Sequence, residues 1–260
     1  MARVTNLRIY PVKSLPGNQG AASRVIATGA LGLNRRWAFA DEEGKYWTSK
    51  RTPKVHEFGC ETLDRGEGVR FTHRDGSDIT LRFYYREQDR VPVEQWFSDR
   101  IGAPSRLLEN AEGGFPDDCD SPGPTIVSTA TIELVASWFP GLTPENVRQR
   151  LRANIEIDDV PAFWEDRLLR ADGTPQPFRI GSVVYLGINP CQRCIVPARD
   201  PATGEPLPHF QKTFSDLRRQ TLPAWAPKER FNHFYRATVN TRLLSGAGET
   251  IHLGTEVEIL

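Results

Sequence analysis

Pro190-Cys191-Gln192-Arg193-Cys194 sets two thiols three positions apart with an arginine between them. The apolar run Val183 to Ile188 precedes this motif, and the turn-forming Asp200-Pro201-Ala202-Thr203-Gly204 follows it. The run reads as a strand, so the thiol pair is expected just past a strand end, beneath a polar loop. A thiolate there is a soft ligand, and a neighbouring cation favours its ionised form. Such a group can serve a metal, a redox disulfide or a nucleophile. A single Cys-x-x-Cys is half a zinc site, and Cys60 and Cys119 do not form a second pair. A redox pair would open a helix, whereas Ile195-Val196-Pro197 is extended and broken by proline. Two ordinary buried thiols are the bland reading of the motif taken alone.

Outward from the motif, short strands dominate. Val4–Tyr10 alternates apolar and polar residues, the period of a half-buried strand. Trp37–Ala40 and Lys45–Thr48 flank Asp41-Glu42-Glu43-Gly44 as a hairpin would. Val69–His73 and Ile79–Phe83 do the same around Arg74-Asp75-Gly76-Ser77. Further strands are expected at Thr125–Ser128, Asn154–Ile157, Phe178–Ile180, Ala237–Asn240 and Glu256–Leu260. Helices are expected over Val93–Ile101, stopped by Gly102, over Thr131–Phe139, stopped by Pro140-Gly141, and from Thr143-Pro144 to Leu151. Glu112 to Pro124 is dense in Gly, Pro and Asp and reads as a linker or surface loop. Many short strands with a few helices predict a β-rich α+β fold, a barrel or sandwich with helical decorations.

The 260 residues suffice for one large domain or two small ones. Their 33 basic and 33 acidic side chains balance, which argues against a general nucleic-acid binder but leaves room for a local basic pocket. Mean hydropathy is −0.47, and no apolar run approaches the ~18–20 residues of a membrane span. The first residues, MARVTNLRIYPVKS, lack a basic stretch followed by an apolar core, so no signal peptide is expected and the location implied is cytoplasmic, with reduced thiols.

Three other places could carry chemistry. Lys13-Ser14 follows a strand in a loop closed by Pro16-Gly17, and an ammonium beside a hydroxyl suits a phosphate. Arg35-Arg36 precedes the aromatic strand at Trp37; adjacent residues of an extended segment face opposite ways, so one arginine is expected to face a pocket. Arg152-Ala153-Asn154 sits at a helix-to-strand junction. Each has an ordinary surface or capping reading when taken singly.

In combination these segments carry a resemblance. IYPVKSLPG, GLNRRWAFADEEGKYWTSKRTPK, Arg152-Ala153-Asn154-Ile155, FRIG and PCQRC with its following DPATG, in that order, resemble proteins that join an N-terminal MOSC β-barrel domain to a MOSC domain. That group includes the mitochondrial amidoxime-reducing component and its bacterial counterparts, and the likeness runs from Leu7 to about Leu260. It implies an N-terminal MOSC β-barrel domain over 1–118 and a MOSC β-barrel-like domain with a few helices over 122–260. It implies a molybdenum cofactor, with molybdenum on Cys194 and the pterin held by Lys13, Ser14, Arg36, Arg152, Asn154, Gln192 and Arg193. The sequence departs from the family habit at Gln192, usually Ser, and Ala153, usually Pro.

The implied activity is reduction of N-oxygenated, N-hydroxylated small molecules. Beyond Cys191 and Cys194 only Cys60 and Cys119 remain, too few for an iron–sulfur cluster, and there is no Gly-x-Gly-x-x-Gly fingerprint, so electrons are expected from a separate ferredoxin- or cytochrome-type donor with its reductase. No nucleic acid and no membrane span is expected. The rival expectation is a molybdenum-cofactor carrier, or a sulfur carrier working through a Cys194 persulfide.

Overall fold

The computed structural model describes residues 1–63, 67–82 and 86–260. In chain order its strands are β1 (Arg3–Ile9), β2 (Asn18–Gly20), β3 (Ala22–Arg24), β4 (Trp37–Ala40), β5 (Phe58–Thr62), β6 (Gly68–His73), β7 (Asp78–Arg82) and β8 (Arg106–Glu109). They continue with β9 (Ile126–Ser128), β10 (Ile155–Asp158), β11 (Gln176–Ile180), β12 (Val183–Gln192), β13 (Arg236–Ser245), β14 (Thr250–His252) and β15 (Val257–Ile259). The α-helices are α1 (Arg90–Ile101), α2 (Thr129–Ser137), α3 (Pro144–Leu151) and α4 (Phe210–Gln220). The β-rich expectation therefore holds.

The largest sheet runs β15-β11-β12-β13-β9-β10-β1-β2. Its β15 end meets β1, next to the other end: the Val4 amide donates to Thr255 O (2.9 Å), the Val257 amide donates to Ala2 O (2.9 Å), and Arg3 bridges Glu256. This closes a barrel and removes exposed strand edges. Its interior is filled by Val4, Leu7, Ile126, Ile155, Ile157, Phe178, Tyr185 and Val239, all at most 1% exposed. The expected division into 1–118 and 122–260 does not follow this sheet. Strand β1 comes from the first half of the chain but pairs antiparallel with β10, and β3 pairs with β14.

A second core belongs to the first half. Here β4 pairs with β8, the β5-β6-β7 sheet packs beside them, and α1 supplies Val93, Trp96 and Phe97. Phe39 and Phe97 stack with ring centroids 3.8 Å apart. Cys60 lies in this core, and burial pushes its thiol up to about 12, so it is inert at neutral pH. The expected hairpin after β4 forms as a short antiparallel bridge, Ala40 opposite Tyr46, in which the Asp41 amide donates to Lys45 O (3.0 Å) and the Trp47 amide to Phe39 O (2.8 Å). The ladder partner of β4 is β8, because Trp37 and Phe39 are buried and face a core that the exposed Glu43 and Lys45 cannot complete. The β6–β7 hairpin forms as expected; Phe83, its predicted last residue, lies outside the described residues.

A third core joins α2, α3 and α4. Ser128 caps α2 by accepting from the Thr131 amide (3.2 Å), and Thr143 caps α3 by accepting from the Asn146 amide (3.2 Å). Helix α4 has no counterpart in the sequence reading. Its buried Phe210 and Phe214 recur at the helical spacing of four, a signal present in the chain.

Candidate functional site

Four backbone junctions place the side chains of one cleft. Lys13 and Ser14 lie in the turn after β1, where the Lys13 amide donates to Trp37 O (2.8 Å) and Ser14 adopts φ 71°. Arg35 stands before β4 at φ 54°. Arg152 terminates α3 at φ 53°, the left-handed capping position that glycine usually fills. The fourth junction is the end of β12, which runs further than its apolar stretch predicts: Cys191 and Gln192 lie within the strand, and only Arg193 and Cys194 lie beyond it. Pairing with β13 extends it, through the Gln192–Arg236 register and an Arg236 guanidinium that donates to Pro190 O (2.7 Å). Each left-handed non-glycine residue costs about 1–2 kcal/mol, and such strain gathers at functional sites. Ser14, Arg35 and Arg152 all line the cleft.

The cleft holds about 720 Å³. Of the expected site residues, Lys13, Ser14, Arg152, Asn154, Gln192, Arg193 and Cys194 line it together, with Cys191 beside them. Arg36 does not. Its guanidinium pairs with Glu109 on β8 (2.5 Å) and stacks over Trp37 (4.9 Å), while Arg35 takes the place in the cleft. Strand alternation correctly separates the two arginines, but the left-handed turn at Arg35 decides which one faces inward.

The expected linker supplies a residue that the sequence reading misses. Asp117 receives Lys13 Nζ (2.8 Å) and Arg35 (2.5 Å) on its two carboxylate oxygens, and Lys13 also donates to Phe115 O (3.0 Å). Burial alone would raise the Asp117 carboxyl, but Arg35 and Lys13 outweigh it and hold it well below the usual carboxylate range. Burial lowers the Lys13 ammonium, and Asp117 opposes that shift. Arg236 and Asn240, on β13, are two further lining residues that no motif announces.

The remaining cations have no such counter-charge. Arg152 donates to Leu15 O (2.7 Å) and stacks over Tyr10 (4.2 Å); burial lowers its guanidinium to about 10. Arg193 donates to Leu151 O (2.7 Å) and to Cys191 Sγ (3.3 Å). It therefore faces Cys191 directly. Arg152, Arg193 and Arg236 have no carboxylate partner among the described residues. The lining holds six basic side chains, Lys13, Arg35, Lys50, Arg152, Arg193 and Arg236, against the carboxylates Asp117 and Asp118. Such an excess suits an anionic ligand.

Asn154 is fully engaged. Its amide nitrogen donates to Arg8 O (3.0 Å) and Asn34 Oδ1 (3.1 Å), and its oxygen accepts from the Thr125 amide (3.3 Å). It braces β1 against β10 at the cleft floor. Among the described residues no three side chains of His, Cys, Asp or Glu converge as a metal cage. A metal at Cys194 would draw most of its ligands from a bound molecule. A thiol beside a cationic wall fits a group that carries both a metal and a phosphate.

Comparison with known proteins identifies the two domains. Residues 1–105 match the MOSC N-terminal beta barrel domain, and residues 125–258 match the MOSC domain. The molybdenum cofactor sulfurase of Drosophila erecta is 25% identical over 84% of this chain and 30% of its own length. The human mitochondrial amidoxime reducing component 2 is 24% identical over 77% of this chain and 68% of its own. The chain thus spans less than a third of the sulfurases it matches. A Bordetella bronchiseptica protein solved in solution shares 14% identity and a TM-score of 0.30 over 39% of this chain and 86% of its own, a likeness too slight to bear on the fold. No helix among the described residues is long and apolar enough to cross a membrane.

Proposed function

The chain belongs to the MOSC-domain family, and we propose that its cleft holds a molybdenum cofactor and that the loaded protein reduces N-oxygenated small molecules. The observation that carries this reading is the cleft itself. Residues from distant stretches of chain bring three free thiols, Cys119, Cys191 and Cys194, and an unbalanced set of cations to a single cavity. Cys194 is the metal-binding thiolate, just past the strand end where the chain is free to present it. Lys13, Arg35, Arg152 and Arg193 hold the phosphate and the polar pterin edge, with Ser14, Asn154 and Gln192 completing the lining. When bound, the cofactor supplies two-electron redox chemistry at molybdenum. The protein's own share is orientation and charge: guanidiniums already fixed by main-chain carbonyls need little reordering to receive an anion.

Electrons come from a separate donor protein of ferredoxin or cytochrome type, a reading supported by the likeness to a protein described as one component of an amidoxime-reducing system. The test is turnover of an N-hydroxylated amidine by molybdenum-loaded protein. NADH alone should give none, and a chemical reductant should restore it. Sustained turnover with NADH and pure protein would overturn the separate donor, and no turnover with a strong reductant would overturn the reductase.

The matches to molybdenum cofactor sulfurases favour a second reading, a cofactor or sulfur carrier working through Cys194. A persulfide on Cys194 in molybdenum-free protein, detected by intact mass, would favour it over the reductase.

A further inference from the structure

A second chamber, of about 330 Å³, adjoins the cleft and shares Ser14, Ser49, Arg152 and Val196 with it. Its walls are apolar where the two halves of the chain face each other: Tyr10, Val55 and Phe58 from the first half, Val196 and Pro201 from the second. Its polar lining is basic. Arg8 is neutralised by Glu145 (2.9 Å), and Arg150 lies 3.5 Å from Asp200. The lining carboxylate, Glu57, is engaged by His73 (3.3 Å) and lies 3.9 Å from Arg74. His56 lies with Nδ1 3.1 Å from Pro201 O, and burial lowers its pKa further below neutrality. That leaves Arg152 and Arg199. Arg152 donates to Leu15 O, Arg199 donates to Gly204 O (3.0 Å), and neither meets a carboxylate among the described residues.

We propose that this chamber is a binding site for a small aromatic carboxylate, a cavity beside the cofactor cleft with Arg152 in the wall between them. A planar guanidinium presents paired N–H donors that match a carboxylate. The apolar walls take a flat hydrocarbon body, and they disfavour a strongly hydrated phosphate, which would lose water without replacement partners. The volume is that of a small-ligand pocket. Arg152 belongs to both cavities, so its replacement weakens both sites, whereas Arg199 lines only the chamber.

The experiment is titration of the full chain with 2-naphthoate by calorimetry and ligand-detected NMR, with naphthalene-2-carboxamide as the uncharged control. Binding to the wild-type chain is expected, with the carboxamide at least about tenfold weaker. Arg199→Gln should weaken naphthoate by about tenfold or more. Ala202→Trp, an exposed position on the chamber wall, should also weaken it by narrowing the space, and it keeps the test decisive if Arg199→Gln fails to fold. Neither variant should change molybdenum retention. No naphthoate binding, equal binding of the carboxamide, or indifference to Ala202→Trp would each overturn the proposal.

Discussion

Two clusters of charge in this protein are treated in opposite ways. Around α4, Arg218 is 1% exposed and pairs with Asp166, itself 3% exposed, while its guanidinium lies over Phe163 at 3.6 Å. Glu165 completes that cluster, accepting from the Ser128 amide (3.2 Å) and Thr131 Oγ1 (3.1 Å). In the cleft, by contrast, Arg152 and Arg193 meet only carbonyls, a ring and a thiol. The first cluster is closed on itself and holds structure together. The second is held open, with donors already oriented and charge left over for something the chain does not supply.

Breaking the closed cluster should cost the most. Arg218→Leu strands the Asp166 carboxylate in the core and should destabilise the fold by about 3–5 kcal/mol in a denaturant titration. The next effect depends on pH. Burial, followed by the neighbouring Asp166 charge, raises Glu165 to about 7. A carboxyl whose folded pKa lies above its unfolded value binds protons more tightly when folded. Its contribution is therefore fully present below the unfolded value and is lost as pH rises through about 7. Glu165→Gln should accordingly remove about 2–3 kcal/mol of the stability lost between pH 5 and pH 8.

The open cluster should behave differently. Arg35→Gly and Arg152→Gly relieve left-handed strain, so stability should change by no more than about 1 kcal/mol. Ligand retention should nonetheless fall by about 1.5–3 kcal/mol, roughly tenfold or more, as one charge-assisted contact is lost. A glycine variant that stays folded, loses several kcal/mol of stability and keeps its ligand would erase the distinction between the two clusters.

The same contrast explains what the sequence could and could not disclose. Barrel strands such as β1 and β11 are legible because burial on one face imposes its period locally. Lys13, Arg152, Arg193 and Cys194 are legible as motifs, and they do converge. Asp117 is not, because an aspartate in a Gly- and Pro-rich stretch looks like any loop residue until Lys13 and Arg35 close on it. Arg35 is hidden for a related reason: the alternation rule says that the two arginines diverge, and only the φ of 54° says which one turns inward. The union of β1 with β10 is likewise invisible locally, since pairing over that separation depends on the whole barrel closing.

The most direct test of the account is cofactor content. The chain is expressed in a host that makes the molybdenum cofactor, and molybdenum and released pterin fluorescence are measured for wild type, Cys191→Ala and Cys194→Ala. The account predicts molybdenum and pterin in the wild type, retention of both in Cys191→Ala, and loss of molybdenum in Cys194→Ala. A wild-type protein without molybdenum or pterin would contradict it, as would a Cys194→Ala protein that keeps its metal while Cys191→Ala is emptied.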